Sequence, residues 1–486
     1  MAGNRLSQDG SGFSRRQVLE SHRSDDVPAL IFFYMSTPRE KQRALSFRRK
    51  PSVSNSGPAR ESTRRSRTSR WWILAGVVAL FGAYFWFTSA RRLQVPIQVG
   101  NYGVDSAPFI NTLGPLLGAE FTTGNKVQIL VNGDKFFPEM LKAIREAKKT
   151  ITLETYIWAP GKISDEFIEA LSERAKAGVQ VFVMMDGMGT LKFKKEDKKR
   201  MEDAGIKVMK YGREHWYEIK PNIMHRTHRK LLVVDGKVGF TGGMCIDDHW
   251  MGNADSSKVW RETQVRVEGP AVLQMQAIFA ANWLQTTSSL LIGPDFFPKV
   301  SQPGSSVAQC IKSGPGEGLE NIRMAYLCAI AAAKKTIDIG NAYFVPDNLE
   351  IDMLVAAQKR GVHVRIVVPA INDSRFGRGV SRSRWGKLLE AGIEFHEYLP
   401  AMYHSKTMVV DGLYTIVGSA NFDNRSFSIN DEDALNIIDA SVAQENLKAF
   451  ESDVRQSRPI TLESFQNRGF FLRISDHLCG LFRSQF

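Results

Sequence analysis

HRKLLVVD (residues 228–235) and HSKTMVVD (404–411) carry one pattern twice: a His, a Lys two places on, and an Asp five places after the Lys. Each motif runs into a Val-rich apolar stretch, the mark of a buried strand. Side chains at i and i+2 share a strand face, so His228 and Lys230 point the same way, as do His404 and Lys406. Each Asp is followed by Gly (Asp235-Gly236 and Asp411-Gly412), and Asp-Gly between apolar runs predicts a hairpin. Counting back from a two-residue turn sets position 243 opposite 228 and position 419 opposite 404. Residues 418–421 are GSAN, so the hairpin is expected to bring Ser419 beside His404, with Asn421 close by. A His, a Lys, a hydroxyl and an amide on one spot suit a phosphoryl group: one nucleophile or acid, and several donors for oxygens. A solvated strand end explains a single His-Lys pair. It does not explain two, each opening the same kind of strand.

The rest of the chain repeats around these strands. AKKTI occurs at 147–151 and again at 333–337. LETYIWAP (153–160) and IGNAYFVPD (339–347) follow, each an apolar strand ending near an aromatic and a proline. Amphipathic helices are predicted over DEFIEALSERAKAGV (165–179) and EIDMLVAAQKRGV (350–362), leading into strands VQVFVMMD (179–186) and VHVRIVVP (362–369). AGIKVMKY (204–211) then matches AGIEFHEY (391–398) before each His strand arrives. Strands alternating with helices predict an α/β fold in two halves, each with a mixed sheet. Packed face to face about a pseudo-two-fold, the halves would bring the two His motifs together. PKVSQPGSSV (298–307) is the natural linker between them.

The chain has 486 residues, enough for two or three domains, and a net charge of +13. Residues 1–70 hold 15 Lys/Arg against 6 Asp/Glu, so most of that charge sits in an N-terminal arm rich in Ser and Arg, which reads as disordered. The near-neutral body argues against a broad nucleic-acid surface, and no nucleic-acid partner is expected. Four widely spaced cysteines without a C-x-x-C indicate neither a zinc site nor a disulfide framework. Residues 71–90, WWILAGVVALFGAYFWFTSA, carry no charge and are long enough for one bilayer crossing, about 30 Å as a helix. The stretch is long for a cleaved signal peptide and reads as a membrane anchor. Arg60, Arg64, Arg65, Arg67 and Arg70 precede it and only Arg91 and Arg92 follow, a bias that places the body on the non-cytoplasmic side. GFFLRISDHLCGLFRSQF (469–486) mixes apolar and basic residues at helical spacing and fits either a bilayer surface or an ordinary docking helix.

The twin His-Lys-Asp strands, GSAN, YFVPD and the body from about 126 to 440 resemble the phospholipase D superfamily. Within it the single anchor, YIWAP, FTGG and NFDNRSFSIN are most similar to bacterial cardiolipin synthases. The resemblance implies an arm (1–70), a transmembrane helix (71–90), a connector (91–125), a first phospholipase D-like α/β sandwich half (126–297), the linker (298–307), and a second half with the C-terminal tail (308–486). It also implies two-step phosphoryl transfer with no metal and no cofactor, on phospholipid substrates such as phosphatidylglycerol at the cell membrane. His228, Lys230, Asp235, His404, Lys406 and Asp411 would then be catalytic. His228 would attack phosphorus and His404 would move the protons, since an imidazole titrates near neutrality. The two lysines would stabilise the phosphoryl oxygens as a metal does elsewhere.

Each ring needs a partner on its other nitrogen, and Glu432 is expected for His404 and Glu262, in WRETQVRV, for His228. Ser419 and Asn421 would bind phosphate. The first half departs from the pattern: GGMC (242–245) stands where GSAN is expected, so backbone N–H groups of Gly242 and Gly243 would replace two side-chain donors. Cys245 occupies a donor's slot, and His225 receives no role. The leading function is a phosphatidyltransferase that makes cardiolipin. A hydrolytic phospholipase D, a superfamily nuclease and a non-catalytic membrane scaffold are the competing readings.

Overall fold

In the computed structural model the described residues are 95–212, 225–315 and 320–485, with Trp72, Ala75, Gly76 and Ala79 before them. The expected arm at 1–70 lies outside the described residues, and so does the span at 71–90 apart from those four. Among the described residues no helix is long and apolar enough to cross a membrane.

Fourteen of the strands form two sets of seven. The first comprises β1 (Thr122–Val131), β2 (Thr150–Thr155), β3 (Gln180–Asp186), β4 (Lys207–Tyr211), β5 (Leu231–Val234), β6 (Val238–Gly242) and β7 (Thr263–Glu268). The second comprises β8 (Ser306–Ser313), β9 (Thr336–Asn341), β10 (His363–Ile371), β11 (Glu394–Met402), β12 (Lys406–Val410), β13 (Tyr414–Gly418) and β14 (Glu432–Ile438); β15 (Ser457–Ile460) adds an edge. Their order in the sheet is β15-β11-β10-β9-β12-β13-β14-β8-β1-β7-β6-β5-β2-β3-β4. Read outward from the central β1–β8 pair, each half has the same order. The result is a mixed α/β sheet, because β2-β3-β4 and β9-β10-β11 pair in parallel while the hairpin strands pair antiparallel.

Alternation along the strands sets the layers. Val181, Val183 and Met185 of β3 face the helices Gly133–Glu146 and Lys162–Lys176, whereas Phe182 and Met184 face the helix Ala271–Thr287. Between the halves lies a core drawn from both: Leu231, Val233, Val265 and Val267 from the first, Val417, Leu435 and Ile437 from the second. A Val or Leu buried at this junction contributes roughly 1.5–3 kcal/mol.

The His-motif strands are fully buried, and each turns at its Asp-Gly. Asp235 and Gly236 take φ of 53° and 60°, Asp411 and Gly412 of 54° and 64°, the left-handed region that Asp-Gly tolerates. The loops hold three residues, not two: Val234 pairs with Val238, and Val410 with Tyr414. The register expected from a two-residue turn is therefore wrong by one place, and Ser419 does not come opposite His404.

The two aspartates also sit elsewhere than expected. Each lies at the turn, the far end of its strand from the His. Asp235 accepts backbone N–H groups of Lys148, Lys149 and Thr150, and Asp411 those of Lys334, Lys335 and Thr336. They tie the two AKKT loops to the two hairpins. Asp235 and Asp411, expected to be catalytic, bind these backbone N–H groups at the turn end of their strands.

Candidate active site

β5 runs antiparallel to β2, and β12 to β9, so the starts of the His strands lie at the edge where β2 and β9 end. Glu262 and Glu432 head β7 and β14 at that same edge. What joins the four groups is a crossing between halves. His228 donates its backbone N–H to Asp431 O (2.8 Å) and Asp431 donates to Arg226 O (2.9 Å). Likewise His404 donates to Arg261 O (2.8 Å) and Arg261 to Met402 O (2.9 Å). Each His loop thus runs parallel to the Glu segment of the other half.

The side chains follow the backbone. His228 Nδ1 lies 2.9 Å from both carboxylate oxygens of Glu432, and His404 Nδ1 lies 2.6 Å from Glu262 Oε2. The expected carboxylate partners are correct residues assigned to the wrong rings. Hairpin reasoning keeps each His with the Glu of its own half, whereas the junction between halves exchanges them. Ser419 Oγ, expected beside His404, donates to Glu432 Oε2 at 2.6 Å and accepts from Asp433 N at 2.9 Å. It supports the His228 pair.

The first half lacks a hydroxyl at this place for a steric reason. A β-carbon on Gly243 would come within 2.5 Å of Glu262 Oε2, and one on Gly242 (φ 153°) within 2.5 Å of Thr263 O. Trp250 Nε1 takes over the donor's work, 3.1 Å from Glu262 Oε2, and Thr263 N donates to Oε1 at 2.9 Å. Cys245 is buried in the half-1 core. Asn421, its counterpart, is half-exposed, and its Oδ1 is buried without a partner.

Lys230 Nζ donates to His228 O, and Lys406 Nζ to His404 O, so both ammonium groups curl back to the backbone carbonyl of the His they accompany. Lys406 Nζ also lies 3.0 Å and 3.2 Å from the two ring nitrogens of His404. Aromatic side chains enclose the rings. Tyr156 meets His228 edge-on at 4.9 Å and lies under Lys230 Nζ at 5.3 Å. Trp250 and Trp260 pack on His404 at 5.2 Å and 5.1 Å between centroids. These three were missed as site residues, although YIWAP and WRETQ, which contain Tyr156 and Trp260, stood out as motifs.

Burial controls the electrostatics. It pushes His228 down to about 4, against the pull of Glu432 and with the help of Lys230. It pushes His404 down to about 4 as well, helped by Lys406 and opposed by Glu262. Both rings are therefore neutral at pH 7. Burial lowers Lys406 to about 8, with Glu262 holding it up. Burial opposes ionisation of both glutamates. Even so, Lys406 and His404 keep Glu262, and His228 and Lys230 keep Glu432, below the ordinary carboxylate value. The resting arrangement is two neutral rings, each with Nδ1–H on a buried carboxylate. That leaves each Nε2 free of the carboxylates, with Lys406 Nζ beside that of His404. Among the described residues no cluster of three or more His, Cys, Asp or Glu is arranged to hold a metal ion.

Residues 140–283 and 326–454 match the family described as cardiolipin synthase, PLD-like domain. Cardiolipin synthase 1 of Bacillus cereus is 32% identical over 401 residues, covering 80% of this chain and 78% of that one. Cardiolipin synthase 2 of Staphylococcus epidermidis is 32% identical over 365 residues, 75% of each chain. Cardiolipin synthase of Geobacillus kaustophilus is 31% identical over 450 residues, 87% of this chain and 89% of that one. The crystal structure of phosphatidylserine synthase from Haemophilus influenzae superposes with a TM-score of 0.56 at 13% identity, over 77% of this chain and 97% of that one, a likeness of fold.

Proposed function

The chain belongs to the cardiolipin synthase family of phospholipase D-like proteins, and from that premise we propose that it joins two phosphatidylglycerols into cardiolipin and glycerol through a phosphohistidine. Phosphatidyl transfer is the activity that the family carries. The observation that supports this mechanism is the pair of crossed His–Glu contacts, which presents two Nε2 atoms from two halves at one edge of the sheet. The halves act as two phospholipase D-like repeats about a pseudo-two-fold, in keeping with their matching strand orders.

His228 Nε2 attacks phosphorus, and the P–O bond to the leaving glycerol breaks. His404 Nε2 gives that alkoxide a proton, leaving a phosphatidyl-His228. A hydroxyl of the second phosphatidylglycerol then gives its proton to His404, attacks phosphorus and displaces His228. Both rings rest neutral, so His404 needs to gain a proton as the substrate binds. A phosphodiester anion between the rings supplies the field that raises it. Lys230 and Lys406 stabilise charge on the phosphoryl oxygens, with Asn421 and the N–H groups of Gly242 and Gly243 as further donors. Family precedent supports His228 as the nucleophile. So does the absence, among the described residues, of any partner on His228 Nε2, whereas Lys406 crowds His404 Nε2. Residues 71–90 anchor the protein, with the catalytic body on the non-cytoplasmic side of the membrane.

Purified protein is incubated with phosphatidylglycerol vesicles and the lipids are separated. Cardiolipin with released glycerol is expected. Phosphatidic acid alone would make the protein a hydrolase, and unchanged lipid would refute catalysis on this substrate.

A further inference from the structure

The helix Phe470–Gly480 is built inside out. Its protein-facing side carries Asp476, 2% exposed, which accepts from Arg382 at 2.7 Å and from Arg468 at 2.5 Å. The same side carries Gly480, where a β-carbon would crowd Ser383, and it crosses the helix Arg375–Arg382 at Gly379, where one would crowd Cys479 Sγ. The solvent-facing side carries Phe471 (84% exposed), Ile474, Leu478 and Leu481, spaced three, four and three apart, so they form one stripe. Phe470 (69%) and Phe482 flank it, and Phe482 meets the half-exposed Phe376 edge-on at 5.7 Å. A water-facing helix normally shows the opposite pattern, and a contiguous stripe of exposed large apolar side chains marks a contact surface.

Charge identifies the occupant. The two segments that form this face, 371–387 and 462–486, hold eight Arg/Lys against three Asp/Glu. An open groove of about 580 Å³ beside the stripe is lined by Arg382, Arg468, Arg473 and His477 together with Phe470. The face also borders the candidate site. β10 runs parallel to β9 and so ends at the edge where His404 lies. Asp373, just beyond it, accepts the hydroxyl of Tyr343, and Phe376 follows three residues on. Apolar side chains projecting outward with arginines on their border match the headgroup boundary of an anionic bilayer.

We infer that the helix 470–480, with Phe376 and Phe482, is a membrane-docking surface that inserts its apolar stripe into an anionic phospholipid bilayer. It would hold the mouth of the site against that surface independently of the 71–90 stretch. The inference does not depend on the phosphatidyltransfer reading, because the quenching test needs no catalysis; the turnover readout is taken once the natural protein has shown turnover on vesicles. The full chain with Cys479→Ser and Phe471→Cys is labelled with a polarity-sensitive fluorophore and reconstituted with lipids bearing nitroxides on their acyl chains. Lys199→Cys serves as the reference site. Quenching is expected at 471 and absent at 199, and stronger in phosphatidylglycerol vesicles than in phosphatidylcholine vesicles. No quenching at 471, or quenching equal in the two lipids, would overturn the proposal. So would shielding of the probe from iodide without nitroxide quenching, which would mean a second copy, or the chain's own residues 71–90, covers the stripe. The variant Phe470→Ser/Phe471→Ser/Phe482→Ser gives a second readout. It should lose most turnover on vesicle-borne substrate and keep its turnover on detergent-dispersed short-chain substrate. Equal turnover on vesicles would also overturn the proposal.

Discussion

Glu154 lies on β2 beneath the His228 loop, buried, and accepts from Thr227 Oγ1 and from Asn282 Nδ2, the latter at 2.8 Å. Its other oxygen has no partner. In the second half the matching position is Gly340, where a β-carbon would collide with the Tyr403 hydroxyl, so this carboxyl belongs to one half only. Burial pushes Glu154 up to about 7, against Arg229 and its hydrogen-bond donors. A carboxyl whose folded pKa is raised contributes stability that is present below its unfolded pKa and lost as pH rises through the folded value. Here that window runs from the ordinary 4.5 to about 7. Glu154→Gln keeps the Oε1 acceptor and removes the titration. Between pH 5 and 8 the natural protein should therefore lose on the order of 2–3 kcal/mol more stability than the variant. Urea unfolding at the two pH values checks this, and parallel losses would show that the carboxyl is not held protonated. At this scale the sequence revealed the residue types gathered at the candidate site, because His, Lys and Glu stand in spaced motifs. It did not reveal Glu154 or Trp250, whose roles depend on what is packed against them.

The hairpins show how far a strand's own pattern carries. Val-rich runs closed by Asp-Gly made both hairpins legible, and i, i+2 spacing put each Lys with its His. The register was not legible, because a third residue enters each loop and shifts every opposing pair by one. The same turns hold the aspartates, which the motif groups with the catalytic residues and the fold sends to the other end of the strand. Asp235→Ala and Asp411→Ala should each cost about 2 kcal/mol or more. They remove charge-assisted bonds from three backbone N–H groups and put Ala at positive φ. Turnover per folded molecule should stay near normal. Denaturant midpoints and turnover on matched folded fractions separate the two effects, and collapse of turnover at unchanged stability would return the aspartates to the chemistry.

Across the whole molecule, the repeat was readable as two halves, but the exchange of partners between them was not. Which Glu meets which His depends on how one half sits on the other, and no local pattern encodes that. The exchange has a kinetic consequence. If His228 attacks and His404 moves protons, Glu432 serves the attacking ring and Glu262 the proton carrier, each from the opposite half. Each Glu holds its ring in the Nδ1–H tautomer, and an amide in its place can bind the wrong tautomer, a fault that costs on the order of 10²–10⁴-fold in related His–carboxylate pairs. With a substrate whose leaving group needs no proton, Glu262→Gln should form the labelled phosphatidyl-enzyme at close to the normal rate. It should then retain the label, because no base activates the acceptor. Glu432→Gln should form that intermediate slowly and release it without accumulation, since the ring that must attack is the one misaligned. Rapid quenching of radiolabelled lipid on the enzyme, followed over time, reads both steps. If the rings were served within their own halves, the two variants would exchange behaviours, with label trapped in Glu432→Gln and barely formed in Glu262→Gln. That reversal would refute the crossed assignment of roles while leaving the phosphohistidine route intact. Mapping the label to the peptide containing His228 or His404 then tells whether the roles or the pairings were exchanged.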